Sequence, residues 1–110
     1  YDQGTNFAKY HVGSREGVWT RGEESEMNFG HKIRMKEGYF PCPPMDTLQT
    51  LRSEMVRVLL DLGIPVEAHH HEVATGGQCE IDMRYQNLIT MADNVMMYKY
   101  VVKNVAARAG

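Results

Sequence analysis

The sequence predicts an α+β fold in which helices pack against an antiparallel sheet. Two observations predict it. Apolar residues recur at three-and-four spacing over roughly 47–62 and again after Asn87, and between them lie two strand-like segments joined by Thr75-Gly76-Gly77.

Residues 6–12 alternate weakly, with Ala8, Tyr10 and Val12 on one parity, and Gly13-Ser14 follows as a turn. From Gly13 to Gly38 the chain is rich in Gly, Glu, Ser, Asn and Arg, with Trp19 and Phe29 interspersed. That is a long irregular loop, and its aromatics favour an ordered, functional one. Pro41, Pro43 and Pro44 enforce an extended approach to Asp46, a good N-cap with Gln49 in capping-box position. Leu48, Leu51, Met55, Val58, Leu59 and Leu62 then form the apolar stripe of an amphipathic helix that Gly63 stops. Residues 64–74 and 78–85 read as two strands. A second helix starts at Asn87 or Thr90, with Met91, Val95, Tyr98, Val102 and Val105 as its buried stripe and Arg108 complementing the dipole of its last turn.

At 110 residues, 43% hydrophobic and 24% charged, the chain has the composition of a small globular domain. A net charge of −2 without a basic block gives no reason to expect a nucleic-acid or anionic-membrane partner. No run approaches the roughly 20 apolar residues that span a bilayer. Cys42 and Cys79 are too few and too scattered for a disulfide framework, so a reducing cytoplasm fits best. Both ends of the chain look cut.

The chemistry concentrates in Glu67-Ala68-His69-His70-His71-Glu72 and Cys79-Glu80-Ile81-Asp82. A three-residue loop centred on Gly76 would set Glu72 opposite Glu80 and His70 opposite Asp82, all on one face. Facing carboxylates repel, and a hard cation such as Mg²⁺ or Mn²⁺ between them would relieve it. Solvated glutamates paired with Arg84 or a lysine, or two carboxylates sharing a proton, fit the same spacing. Three consecutive histidines invite a zinc reading. Period two, however, sends His70 to one face and His69 and His71 to the other, so these histidines read more readily as a polar network or as supports for neighbouring ligands. His11 and His31 are isolated, and the eight methionines are ordinary packing.

The string from Glu67 through Gln78 with Glu80 closely resembles the ATP-region signature of type I glutamine synthetases. Gly38-Tyr39-Phe40-Pro41 with Pro43-Pro44, Arg52-Ser53-Glu54-Met55, Tyr98-Lys99-Tyr100-Val101-Val102 with Asn104-Val105-Ala106, Glu16-Gly17 with Trp19, and Gly30-His31 resemble the same family in the same order. The resemblance implies part of a glutamine synthetase/guanido kinase-like catalytic domain over residues 1–110, without the family's N-terminal β-grasp domain and the downstream half. It implies ATP-dependent ligation of ammonia to glutamate through γ-glutamyl phosphate, in homo-oligomeric stacked rings (a dodecamer), with the isolated segment inactive. Glu72 and Glu80 would ligate Mg²⁺ or Mn²⁺, Glu67 would contact ATP, and Tyr85 would lie against the adenine. Tyr39 would line the ammonium region and His70 would stand beside metal and phosphates. Cys79 and Tyr85 depart from the family's usual Asn and Phe; the Cys79 side chain should point away from the metal face, and the Tyr85 hydroxyl needs a partner. A related ligase joining glutamate to another amine, such as a polyamine, and a non-catalytic structural relative are the competing readings.

Overall fold

The computed structural model describes residues 2–3, 8–9, 13–20 and 31–110. The expectations for Tyr10 and Val12, for Phe29 and for Gly30 lie outside the described residues. Two short strands, β1 (Asp2–Gln3) and β2 (Ala8–Lys9), pair antiparallel. Then follow α1 (Gln49–Asp61), β3 (Val66–His71), β4 (Cys79–Met83) and α2 (Leu88–Ala109). The α+β architecture with an antiparallel hairpin is the one the sequence predicts.

The apolar stripes do what their spacing requires. Met55 and Leu59 of α1, Ile64, Ile81 of β4, and Val101 and Val105 of α2 form one buried cluster, with Leu51, Val66, Met83, Tyr98 and Val102 packed around it. Leu59 is fully buried. Val101 belongs to the stripe of α2 as well, because its position three after Tyr98 and four before Val105 lies on the same face. Asn87 caps α2, its side chain accepting from the Thr90 amide at 3.0 Å.

The start of α1 differs from expectation. Leu48 holds the N-cap position and no side chain caps it. Asp46 instead turns its carboxylate onto the Leu48 amide and the Arg52 guanidinium, a buried ion pair inside the fold. The Arg52 guanidinium, six residues on, engages both oxygens of that carboxylate, and the Leu48 amide shares one of them. At the other end Gly63, with φ of 78°, provides the left-handed turn that leads into β3.

The hairpin register also differs. His70 pairs with Glu80, His69 with Ile81 and His71 with Cys79, so the register is displaced by two residues from the one in which His70 meets Asp82. The Glu72 amide donates to Gln78 O at 2.7 Å, which lengthens the connection to residues 73–77. The cause is tertiary. Thr75 is buried, its hydroxyl donating to Ile33 O and Glu16 O. Gly76 O accepts from Ser14 Oγ at 2.7 Å. The described parts of the 13–38 loop thus grip the hairpin turn and hold it open.

A displacement of two residues leaves the faces unchanged, because side chains alternate with period two. His69, His71, Cys79 and Ile81 face the helices, and His70, Glu80 and Asp82 face away. Between Val66 and Ala68 the register slips by one residue at Glu67. This bulge brings Val66 opposite Met83 and back to the apolar side.

Candidate metal centre

The two residues that precede the turn, the strand that follows it and the approach to α1 meet at one place. Single ligand atoms of His70, Glu72 and Glu80 all lie within 4.8 Å of one another. His70 comes from β3 directly opposite Glu80, and Glu72 follows β3 on the same parity. His70 Nδ1 lies 3.7 Å from Glu72 Oε1 and 3.1 Å from His71 O. Glu72 Oε2 accepts from the Val73 amide at 2.9 Å, so one carboxylate oxygen is anchored while the other stays turned toward His70.

The electrostatics of this cluster call for positive charge. The Glu80 carboxyl is raised above its ordinary value, first by hydrogen bonding to Asp82, then by burial and by the charges of Asp82 and Glu72. Carboxylate oxygens beside an imidazole suit a hard or borderline divalent cation. The donor set fits such an ion, with Glu72, Glu80 and His70 as its holders. The expected face-to-face pair is therefore corrected to a diagonal one, with Glu72 and Glu80 still on one face and His70 taking the directly opposed place. The zinc reading gains nothing, since His69 and His71 lie on the other side of the hairpin.

Tyr39 joins this cluster. Its ring stands edge-on to His70 at 5.2 Å between centroids, and Phe40 lies 5.4 Å from the same imidazole. Phe40 carries a positive φ of 61°, a conformation costly for an aromatic residue and held here by the hydrogen bond its amide donates to His71 O at 3.1 Å. Glu67 and Tyr85 are at the far end of the hairpin. Glu67 Oε1 accepts from Arg84 Nε at 3.3 Å, and Tyr85 is 88% exposed. The described residues do not bring these two to the cluster.

Behind the hairpin is a polar layer built on His69 and His71, whose partners the sequence does not name. Arg52 Nε donates to His69 Nδ1 at 3.3 Å, and its Nη1 reaches Cys79 Sγ at 3.4 Å. Cys79 therefore points away from the metal face, as its parity predicts. Burial pushes the Cys79 thiol up, only partly offset by Arg52, and pushes His69 down, aided by the Arg52 charge. His71 is fully buried and sets Nε2 3.7 Å from Glu16 Oε2. Burial raises the Glu16 carboxyl, against the pull of His71. The sequence points to His69 and His71 as members of a polar network and to Cys79 as facing away from the metal side, and Arg52 sits within the apolar stripe of α1. Glu16 is marked only as part of the Glu16-Gly17 segment of the family resemblance, with no role, and a loop brings it in from afar.

Residues 6–110 match the family model described as glutamine synthetase, catalytic domain. The chain belongs to this glutamine synthetase family. It is 50% identical over 110 residues to a glutamine synthetase of Microchaete diplosiphon and 53% identical over 105 residues to one of Aquifex aeolicus. These alignments cover 100% and 96% of this chain, and 23% and 22% of the relatives. The chain thus spans less than a quarter of the length of the curated relatives it matches. Among solved structures, the glutamine synthetase of Plasmodium falciparum superposes with a TM-score of 0.67 at 34% identity, covering 72% of this chain and 15% of that one. Among the described residues no helix is long and apolar enough to cross a membrane.

Proposed function

We propose that this chain forms part of the catalytic domain of a glutamine synthetase, in which Glu72 and Glu80 hold a divalent cation, Mg²⁺ or Mn²⁺, for ATP-dependent ligation of ammonia to glutamate. The observation that carries the reading is the convergence of His70, Glu72 and Glu80 on one face of the β3–β4 hairpin. Family membership and relatives named glutamine synthetase support the reaction.

Such a cation, when bound, neutralises phosphate charge as the γ-carboxylate of glutamate is phosphorylated. The chain's own residues set the conditions. The Val73 amide fixes one oxygen of Glu72, so this ligand enters pre-oriented. His70, packed against the adjacent rings of Tyr39 and Phe40, presents an imidazole edge to the anionic side of the site. Tyr39 lies beside it, in reach of an incoming ammonium ion or ammonia. Glu67 and Tyr85 supply nucleotide contacts at the open end of the hairpin, where an exposed ring is available to stack on a base. Ammonia then displaces phosphate from γ-glutamyl phosphate. The remaining ligands and the phosphate-binding cations come from parts of the protein beyond this segment, and the assembly is a homo-oligomeric ring.

The reading is tested by Glu72→Gln and Glu80→Gln in the full-length protein. Each is expected to remove most synthetase activity and to weaken Mn²⁺ binding. Unchanged activity in both variants refutes the assignment.

A further inference from the structure

We propose that Glu16 and His71 form a buried positioning pair that sets the backbone of Glu72, and through it the aim of the Glu72 carboxylate at the cation. This rests on the cation-site reading above.

The imidazole of His71 is fully buried between two carbonyl oxygens and one carboxylate. Its Nδ1 lies 2.7 Å from Glu72 O and 2.8 Å from Gly38 O. Both are acceptors, so Nδ1 carries the hydrogen and donates to the pair. Nε2 is thereby turned toward Glu16 Oε2, 3.7 Å away. Among the described residues, His71 Nε2 and both Glu16 oxygens have no hydrogen-bond partner. Buried polar atoms left unpaired are costly, and their retention where Glu16 Oε2 faces His71 Nε2 points to a role.

The carbonyl that His71 holds belongs to the candidate ligand itself. The amide of Glu72 is held from the other side by Gln78 O. Gly38 completes the clasp: its amide donates to Val73 O at 3.1 Å, and a Cβ there would fall 2.6 Å from Glu72 O. Glu16 reaches this place because Ser14 Oγ and Thr75 Oγ1 tie residues 14–16 to the turn. The ring orientation of His71 therefore depends on Glu16, and the main chain of Glu72 depends on His71. Groups that orient a metal ligand in this way are worth about 10- to 100-fold in affinity.

The test is Mn²⁺ affinity of the full-length protein, with thermal unfolding of each variant recorded beside it. Glu16→Ala is expected to weaken Mn²⁺ binding about 10-fold or more. Glu16→Asp, which keeps the charge and withdraws it by one methylene, is expected to weaken it several-fold. Glu16→Gln, which keeps the length and can donate to Nε2, is expected to retain most of the affinity. Parent-like affinity in Glu16→Ala overturns the pair. If Glu16→Ala does not fold, parent-like affinity in Glu16→Asp overturns it. Equal losses in Glu16→Gln and Glu16→Ala overturn it too, because a pair defined by geometry tolerates the isostere. Parent protein that binds Mn²⁺ no better than Glu72→Gln refutes the cation site instead, so the two failures are distinguishable.

Discussion

His70 on β3 stands directly across the hairpin from Glu80 on β4, and the Glu72 carboxylate reaches to within 3.7 Å of the same imidazole. The register that produces this meeting is set by the turn. Thr75 and Gly76 are bound to the 13–20 and 31–33 segments, and the five residues between Glu72 and Gln78 are spread by that grip. The described residues of the loop shape the site, and none of them is among the candidate ligands.

The raised Glu80 carboxyl gives a prediction with two opposite readouts. A carboxyl whose folded pKa exceeds its unfolded value favours folding below the unfolded pKa, and that contribution is lost as pH rises through the folded pKa. At neutral pH, without added cation, Glu80→Gln should therefore raise the melting temperature. With Mn²⁺ present the order should invert, because the parent gains binding energy that the variant lacks. Melting scans at both conditions check this.

Asp46 and Arg52 behave in the contrary sense. Burial pushes the Asp46 carboxyl up, but hydrogen bonds from Arg52 and its charge outweigh burial and leave it below the ordinary carboxylate range. Its contribution is present above the unfolded carboxylate pKa and lost as pH falls through the folded one. Asp46→Ala leaves the Arg52 guanidinium buried without its partner, which should cost about 3–5 kcal/mol. Denaturant unfolding near neutral pH measures the loss. The difference between parent and variant should narrow toward acid.

Gly38→Ala probes the clasp around the ligand strand. The added methyl meets Glu72 O at 2.6 Å and Val73 O at 3.0 Å, both backbone atoms with little room to retreat. The expected cost is about 1–3 kcal/mol, with a fall in Mn²⁺ affinity as Glu72 shifts. Paired melting and Mn²⁺ titrations read the two effects together.

Leu59→Ala separates stability from the site. Leu59 of α1 is fully buried in the core cluster with Ile81 of the hairpin and Val101 and Val105 of α2, away from the candidate ligands. The substitution should cost about 2–5 kcal/mol. Mn²⁺ affinity of the folded protein should remain that of the parent, as a titration well below the melting temperature would report.

Much of the fold was written in local pattern. The apolar spacing of Leu51, Met55 and Leu59 and the cap at Asn87 placed both helices, and period two assigned His70, Glu72 and Glu80 to one face. Those features depend on neighbours within a few residues. The register of the hairpin, the diversion of Asp46 from capping to Arg52, and the burial of Glu16 against His71 depend on contacts from distant segments. Sequence spacing carries no signal for these. Face parity survived the two-residue displacement because an even shift preserves it. A one-residue error would have reversed the site.

The central claim is that Glu72 and Glu80 jointly hold a divalent cation. Mn²⁺ titration of the full-length protein, followed by the paramagnetic resonance of the free ion, tests it most directly when run on the parent, Glu72→Gln and Glu80→Gln. Each variant is expected to lose Mn²⁺ affinity about 10-fold or more while retaining its fold. Parent-like Mn²⁺ binding in both folded variants would contradict it.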